Sequence, residues 1–150
     1  GGPDRARCER WIAELGLGDG LRITGYRGDL GRILRGADLF LLPSEEDPFP
    51  LAALQAALAR LPIVCFEAAG GVPELVAQGC GTAVAHMDAG AMAEAVIAYA
   101  ADPARRGAEG ARGRELVLGS YTVEAIGPEL LRHIEEAAGS AAPARAEARP

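Results

Sequence analysis

Three consecutive carboxylates, Glu45, Glu46 and Asp47, are followed by two prolines bracketing Phe49 and lead straight into a helical run. The first N–H groups of a helix lack intrahelical partners, so a helix start of this kind is a ready anion site. Gln55 stands seven intervening residues beyond Asp47 and shares the Leu51/Leu58 stripe of that helix. If the stripe faces a sheet, a polar side chain on it needs a partner. Asp47 and Gln55 are then expected to face one ligand from two sides. The plainer alternative is a solvated loop whose negative charge favours the helix dipole by about 0.3–1 kcal/mol. Other candidates follow other expected strands: Tyr26-Arg27, Gly70-Gly71 with Glu74, and His86. Each has a structural reading too. Tyr26 and Arg27 fit turn surface, the glycines a tight turn, Glu74 the first turn of a helix, and His86 and His133 solvent.

The elements that must carry these residues alternate between apolar runs and helical stripes. Cys8, Trp11, Ile12 and Leu15 predict a helix over residues 5–15, with Pro3-Asp4 as start and Gly16 as stop; Trp11 is read as a packing residue. Leu21 to Thr24 is a short strand candidate, and Leu30 to Leu34 a turn or two of helix. The runs 37–42 and 63–66 read as strands buried on both faces. Between them Leu51, Leu54, Leu58 and Leu61 form a helix stripe, with Pro50 at its start and Pro62 closing it. A short helix started by Pro73, a strand over residues 81–85, and helices over about 89–101, 103–118 and 122–138 complete the pattern, with Asp88 and Thr122 as caps. Strands and helices at this spacing imply βα units and a parallel sheet, whose ligands bind beyond the carboxyl ends of its strands.

Composition excludes several function classes. The 150 residues suffice for one domain, expected over residues 1–138, with the small, polar, proline-containing stretch 139–150 as a disordered tail. No apolar stretch approaches the roughly 20 residues of a transmembrane helix, and no signal-peptide pattern opens the chain. The net charge is −6, Lys is absent and the arginines form no stripe, so nucleic acid is not an expected partner. Cys8, Cys65 and Cys80 are odd in number and match no metal spacing, which reads as reduced thiols in a cytosolic protein, Cys65 in a buried strand.

The segment Ala37-Asp38-Leu39-Phe40-Leu41-Leu42-Pro43-Ser44-Glu45-Glu46-Asp47-Pro48-Phe49-Pro50-Leu51, with Gln55-Ala56, Pro62-Ile63-Val64 and Gly70-Gly71-Val72-Pro73-Glu74-Leu75-Val76, resembles the C-terminal, donor-binding domain of family 4 glycosyltransferases of the GT-B fold. That family has an acid, seven residues, then Glu. Here the pair stands as Asp47 and Gln55, with prolines at 48 and 50 where glycines are usual, a variant similar to that of bacterial polysaccharide glycosyltransferases. The resemblance implies a Rossmann-like parallel sheet with flanking helices and a UDP-, GDP- or ADP-sugar as donor, with no cofactor or metal. Asp47 would contact the donor sugar's hydroxyls. The amides of Phe49, Leu51 and Ala52 would line its diphosphate, because Pro48 and Pro50 have no N–H to offer. Gln55 would meet the ribose hydroxyls, Tyr26 and Arg27 the base, Gly70-Gly71 the phosphate or sugar, and Glu74 would brace that loop by accepting its amides. Gln55 in place of Glu would cost about 1–2 kcal/mol of donor binding, since neutral hydrogen bonds are weaker than charged ones.

By the same resemblance, an acceptor-binding N-terminal domain and the first βαβ portion with its Arg/Lys loop are expected to be absent. If strand order follows 3-2-1-4-5-6, the absent strands belong between residues 21–24 and 39–42. The chain is then expected to be a fragment: inactive alone, prone to aggregation, part of an enzyme moving a hexose from a nucleotide sugar to a hydroxyl with retention, in the synthesis of polysaccharide or glycoconjugate. Two other readings stay open. One is a degenerate, non-catalytic nucleotide-sugar-binding partner domain, the other a nucleotide-sugar epimerase of the same architecture. A receiver-like signalling module fits worse, because it needs a Lys.

Overall fold

The structure is a computed structural model that describes residues 2–140. It divides into two compact units, Gly1–Ile33 and Leu34–Pro150.

The first unit contains α1 (Arg5–Glu14) and most of α2 (Leu30–Arg35). No α1 residue is buried; Trp11, expected to pack, is half exposed, with the Arg7 guanidinium 5.0 Å above its ring. Residues 21–24, expected as a strand, form none. A strand needs a ladder partner for its N–H and C=O groups, and no described segment pairs with this one.

The second unit holds β1 (Phe40–Leu42), α3 (Leu51–Leu58), β2 (Ile63–Phe66), α4 (Val72–Val76), β3 (Gly81–Val84), α5 (Ala89–Ala101), α6 (Pro103–Ser120) and α7 (Val123–Ser140). The strands form a parallel sheet in the order β1-β2-β3, Phe40 opposite Ile63 and Ile63 opposite Gly81. All four residues of β2 are buried, as expected for a strand covered on both faces, whereas β1 is shorter than the run 37–42 and its Leu41 is exposed, so the same expectation fails there. Ile63 and Cys65 join one core cluster with residues of α3, α4 and α6, while Val64 and Phe66 join another with Met92 and Tyr99 of α5. Asp88, Asp102 and Thr122 cap α5, α6 and α7 by accepting the amides of Ala91, Arg105 and Ala125. Helix α7 runs to Ser140, and residues 141–150 of the expected tail lie outside the described residues.

Helix α3 turns inward only part of the stripe expected, together with its alanines. Ala53, Ala56 and Ala57 are buried, Leu54 and Leu58 of the expected stripe pack partly buried against the core and Leu61 is buried, whereas Leu51 is 73% exposed and Gln55 is exposed. The cause is close approach by α6. A Cβ on Gly110 would lie 2.0 Å from the Arg60 carbonyl oxygen, and one on Gly113 would lie 3.4 Å from the Ala57 Cβ. Only alanines admit a second backbone that near, so small residues and not leucines form the seam. All four arginines of α6 hold neighbouring groups. Arg106 binds the Tyr99 and Ala100 carbonyls at the end of α5, and Arg114 binds the Leu58 carbonyl at the end of α3 (2.7 Å). Arg112 binds the Gln78 carbonyl just beyond α4, and Arg105 pairs with Glu109. The carbonyls among these stand at or just beyond helix ends, where intrahelical partners run out.

Candidate functional site

The loops after β1 and β2 are joined backbone to backbone. The Asp47 amide donates to the Ala69 carbonyl at 2.8 Å, and the Gly71 amide donates to the Pro48 carbonyl at 2.8 Å. Gly70 sits at φ +126°, and a Cβ there would lie 1.8 Å from the Asp47 carbonyl oxygen. A Cβ on Gly71 would lie 2.6 Å from Cδ2 of Phe49. The two glycines are therefore needed for contact between the loops, beyond any need for a tight turn. Ala68, at φ 57°, is a further residue in the left-handed region beside them.

This junction sets out the start of α3 with its donors open. The amides of Phe49, Leu51 and Ala52 make no hydrogen bond among the described residues, while the Ala53 amide turns back to the Pro50 carbonyl at 3.0 Å. Pro50, at φ −70° and ψ 132°, is the residue before the first turn. The Asp47 carboxylate, half-buried in the same loop, has no partner among the described residues, and Glu45 and Glu46 beside it are exposed. Three free N–H groups and an unpaired carboxylate within six residues of chain can hold a ligand that is anionic at one end and hydroxylated at the other. Charge-assisted bonds of this kind contribute about 1.5–3 kcal/mol each.

Four of the residues expected from the sequence, Asp47, Phe49, Gly70 and Gly71, meet at this junction, and Leu51 and Ala52 follow it as the first residues of α3. Gln55 lies one turn into α3; being exposed, it does not need the buried partner its expected sheet-facing position required. Glu74 does not brace the glycine loop. Its carboxylate accepts none of the loop's amides, and the Pro48 carbonyl does that work through Gly71. Tyr26, 94% exposed, and Arg27 belong to the other unit. Both Arg27 guanidinium nitrogens involved bind Asp29 at 2.8 Å, which raises the Arg27 pKa and lowers that of Asp29.

Two contacts here had weak sequence signals. His86, exposed after β3, bonds through Nδ1 to the Glu67 carbonyl at 3.0 Å and meets the Phe66 ring edge-on. Phe49 stacks on Tyr121 with ring centroids 5.6 Å apart and planes 10° from parallel. Nothing in local spacing ties position 49 to position 121. Elsewhere, a cavity of about 450 Å³ between Leu41, Phe66, Met92 and Ile97 has an almost wholly apolar lining and offers no comparable set of donors. Among the described residues no helix is long and apolar enough to cross a membrane.

Comparison with known proteins accounts for the same stretch. Residues 1–116 match the model of the family "Glycosyl transferases group 1". The chain is 32% identical over 111 residues to the alpha-maltose-1-phosphate synthase of Mycobacterium tuberculosis, covering 69% of this chain and 28% of that protein. It is 31% identical over 114 residues to the lipopolysaccharide core biosynthesis mannosyltransferase LpcC of Rhizobium leguminosarum, covering 75% of this chain and 32% of that one. Among solved structures it resembles sucrose-phosphate synthase from Thermosynechococcus elongatus with a TM-score of 0.83 and 30% identity, over 93% of this chain and 35% of that one. The chain thus spans about a third of the length of these relatives.

Proposed function

Because the chain belongs to the group 1 glycosyl transferases, we propose that its Leu34–Pro150 unit supplies the nucleotide-sugar half of an active site that transfers a sugar to a hydroxyl acceptor. The observation that carries this reading is the junction of the two loops, which leaves the Phe49, Leu51 and Ala52 amides and the Asp47 carboxylate without partners among the described residues, all within residues 47–52. The amides receive the diphosphate of a UDP-, GDP- or ADP-sugar. As the bond to the sugar breaks, negative charge grows on the leaving oxygen, and donors already aimed there stabilise it without reorganising. This work needs no metal ion. Asp47 accepts hydroxyls of the sugar and fixes its orientation, Gly70-Gly71 allow close approach, and Gln55 reaches the ribose. Transfer proceeds with retention at the anomeric carbon. The free thiols of Cys8, Cys65 and Cys80 suit a reducing, cytoplasmic location.

Gln55 favours a second reading, a binding domain without turnover. A neutral amide holds two ribose hydroxyls less tightly than a carboxylate does.

Calorimetric titration of UDP-, GDP- and ADP-sugars into the folded chain tests the proposal. One nucleotide is expected to bind, and Asp47→Ala is expected to weaken it at least about tenfold while thermal stability stays within about 0.5 kcal/mol. A folded chain that binds none of the three overturns the donor-site reading. Binding that survives Asp47→Ala unchanged removes Asp47 from it.

A further inference from the structure

We propose that Tyr121 is a positioning residue for the donor loop, acting through the ring of Phe49. This rests on the reading of residues 47–52 as the donor site and extends it to a residue beyond the family match, which ends at 116.

The loop 47–50 has little freedom of its own, since Pro48 and Pro50 each fix a φ angle. Its placement depends on what grips it. Two grips are the backbone bonds Asp47 to Ala69 and Gly71 to Pro48, both made with the loop after β2. The third is the Phe49 ring, which lies against the bare backbone of Gly71 and stacks on Tyr121. Tyr121 is itself anchored. As the C-cap of α6 it donates its amide to the Val117 carbonyl at 3.0 Å, and Val117 is buried in the core. The stack therefore connects the donor loop to the core through α6, independently of the β2 loop.

Phe49 carries one of the three free amides, so the ring and the donor N–H belong to the same residue. Letting the ring swing turns that N–H away from its ligand. The Tyr121 hydroxyl makes no hydrogen bond among the described residues, so the ring face and not the hydroxyl should carry the effect.

The test compares the wild-type chain with Tyr121→Ala, Tyr121→Leu and Tyr121→Phe. Hydrogen exchange is followed at the Asp47 and Gly71 amides, with β2 amides as a reference, and the Kd is measured for whichever of the UDP-, GDP- and ADP-sugars the wild-type chain binds. Loss of an aromatic stack is expected to speed exchange at Asp47 and Gly71, and to raise Kd, by about 3- to 10-fold in Tyr121→Ala. The β2 amides should be unaffected, and Tyr121→Phe should match wild type. Unchanged exchange at the two loop amides overturns the proposal, and so does failure of Tyr121→Phe to restore them. If Tyr121→Ala also accelerates β2, Tyr121→Leu decides, since it keeps apolar bulk without a ring; acceleration throughout both variants means general destabilisation and overturns the proposal. Should the wild-type chain bind no nucleotide sugar, the donor-site reading fails by itself, and the exchange data still decide whether Tyr121 holds the loop.

Discussion

Along α6 all four arginines are bound to carbonyls or a carboxylate, whereas at the junction of the β1 and β2 loops three amides and the Asp47 carboxylate have no partner among the described residues. The two regions are built from similar polar groups and both rely on glycines pressed against a backbone carbonyl. They differ in whether their polar groups have found partners, a need that is strongest where burial is complete. Beside α6, Tyr99 of α5 is fully buried, and its hydroxyl meets Thr82, Arg105 and Glu109, because an unpaired polar group there would cost about 1–3 kcal/mol. At the loop edge water can solvate the open donors until a ligand replaces it. Satisfied polar groups thus identify what holds the unit together, and unsatisfied ones at an exposed edge identify what it can bind.

Glycine substitutions should separate the regions most sharply. Gly110→Ala drives a Cβ to 2.0 Å from the Arg60 carbonyl oxygen, and neither backbone can yield without parting α3 from α6. The expected loss is about 3 kcal/mol or more, read as a fall in Tm of roughly 10 °C for a domain this size. Gly70→Ala meets the Asp47 carbonyl oxygen at 1.8 Å in a left-handed conformation. It should pry the two loops apart and abolish donor binding, with a smaller fall in Tm because loops open locally. A Gly70→Ala chain that melts as low as Gly110→Ala yet still binds donor would break the distinction.

Alkaline pH should attack the buried core of the unit and not the loop junction. Burial and the bond to Glu109 push Tyr99 up to about 12 from an ordinary 10.0. Burial pushes Cys65 up to about 11 from 9.0. Each group stays neutral in the fold after its unfolded counterpart has ionised. The unfolded state then binds fewer protons than the folded one, so stability falls as pH rises. Stability is expected to hold up to about pH 9 and to be lost between about pH 9 and 12, each group accounting for about 2–3 kcal/mol. Denaturant unfolding at pH 8, 10 and 11.5 measures this. Tyr99→Phe should flatten the upper part of the decline, and a slope unchanged by that substitution would remove Tyr99 as its cause.

The sequence discloses the parallel βα core because β1 and β2 are short apolar runs, the first stopped by Pro43 and the second preceded by Pro62, and α5 because Asp88 marks its start. It discloses the junction in part. Gly70-Gly71 and the two prolines signal an unusual backbone, but that the glycines touch the Asp47 loop depends on a contact across more than 20 residues of chain. The α3 face is judged only in part, for a related reason: Leu54, Leu58 and Leu61 face the core as expected, but Leu51 and Gln55 do not, and the alanines are buried most deeply. Leucine ordinarily outcompetes alanine for the interior, and only the approach of α6 through Gly110 and Gly113 reverses that order. Residues 21–24 have the composition of a strand, yet a strand exists only with a partner. The Phe49–Tyr121 stack joins two aromatic residues that no periodicity links.

The smallest effect expected is also the one that most directly separates a transferase site from a silent binding site. Gln55 is exposed one turn into α3, so exchanging its amide for a carboxylate neither buries a charge nor breaks a contact in the core. Gln55→Glu should leave Tm within the range of ordinary surface substitutions, about 0.5 kcal/mol. A carboxylate accepting the two ribose hydroxyls makes stronger bonds than an amide by about 1–2 kcal/mol in all. Donor affinity should therefore rise about 5- to 30-fold. The gain should persist with the free nucleoside diphosphate, which has the ribose but no sugar. It should vanish with a 2′-deoxyribose analogue, which lacks one of the two hydroxyls. A rise retained in full by the deoxy analogue would mean that position 55 acts elsewhere on the ligand. Unchanged affinity would mean that the α3 face bearing Gln55 does not meet the ribose, leaving the open amides of Phe49, Leu51 and Ala52 with Asp47 as the whole of the site.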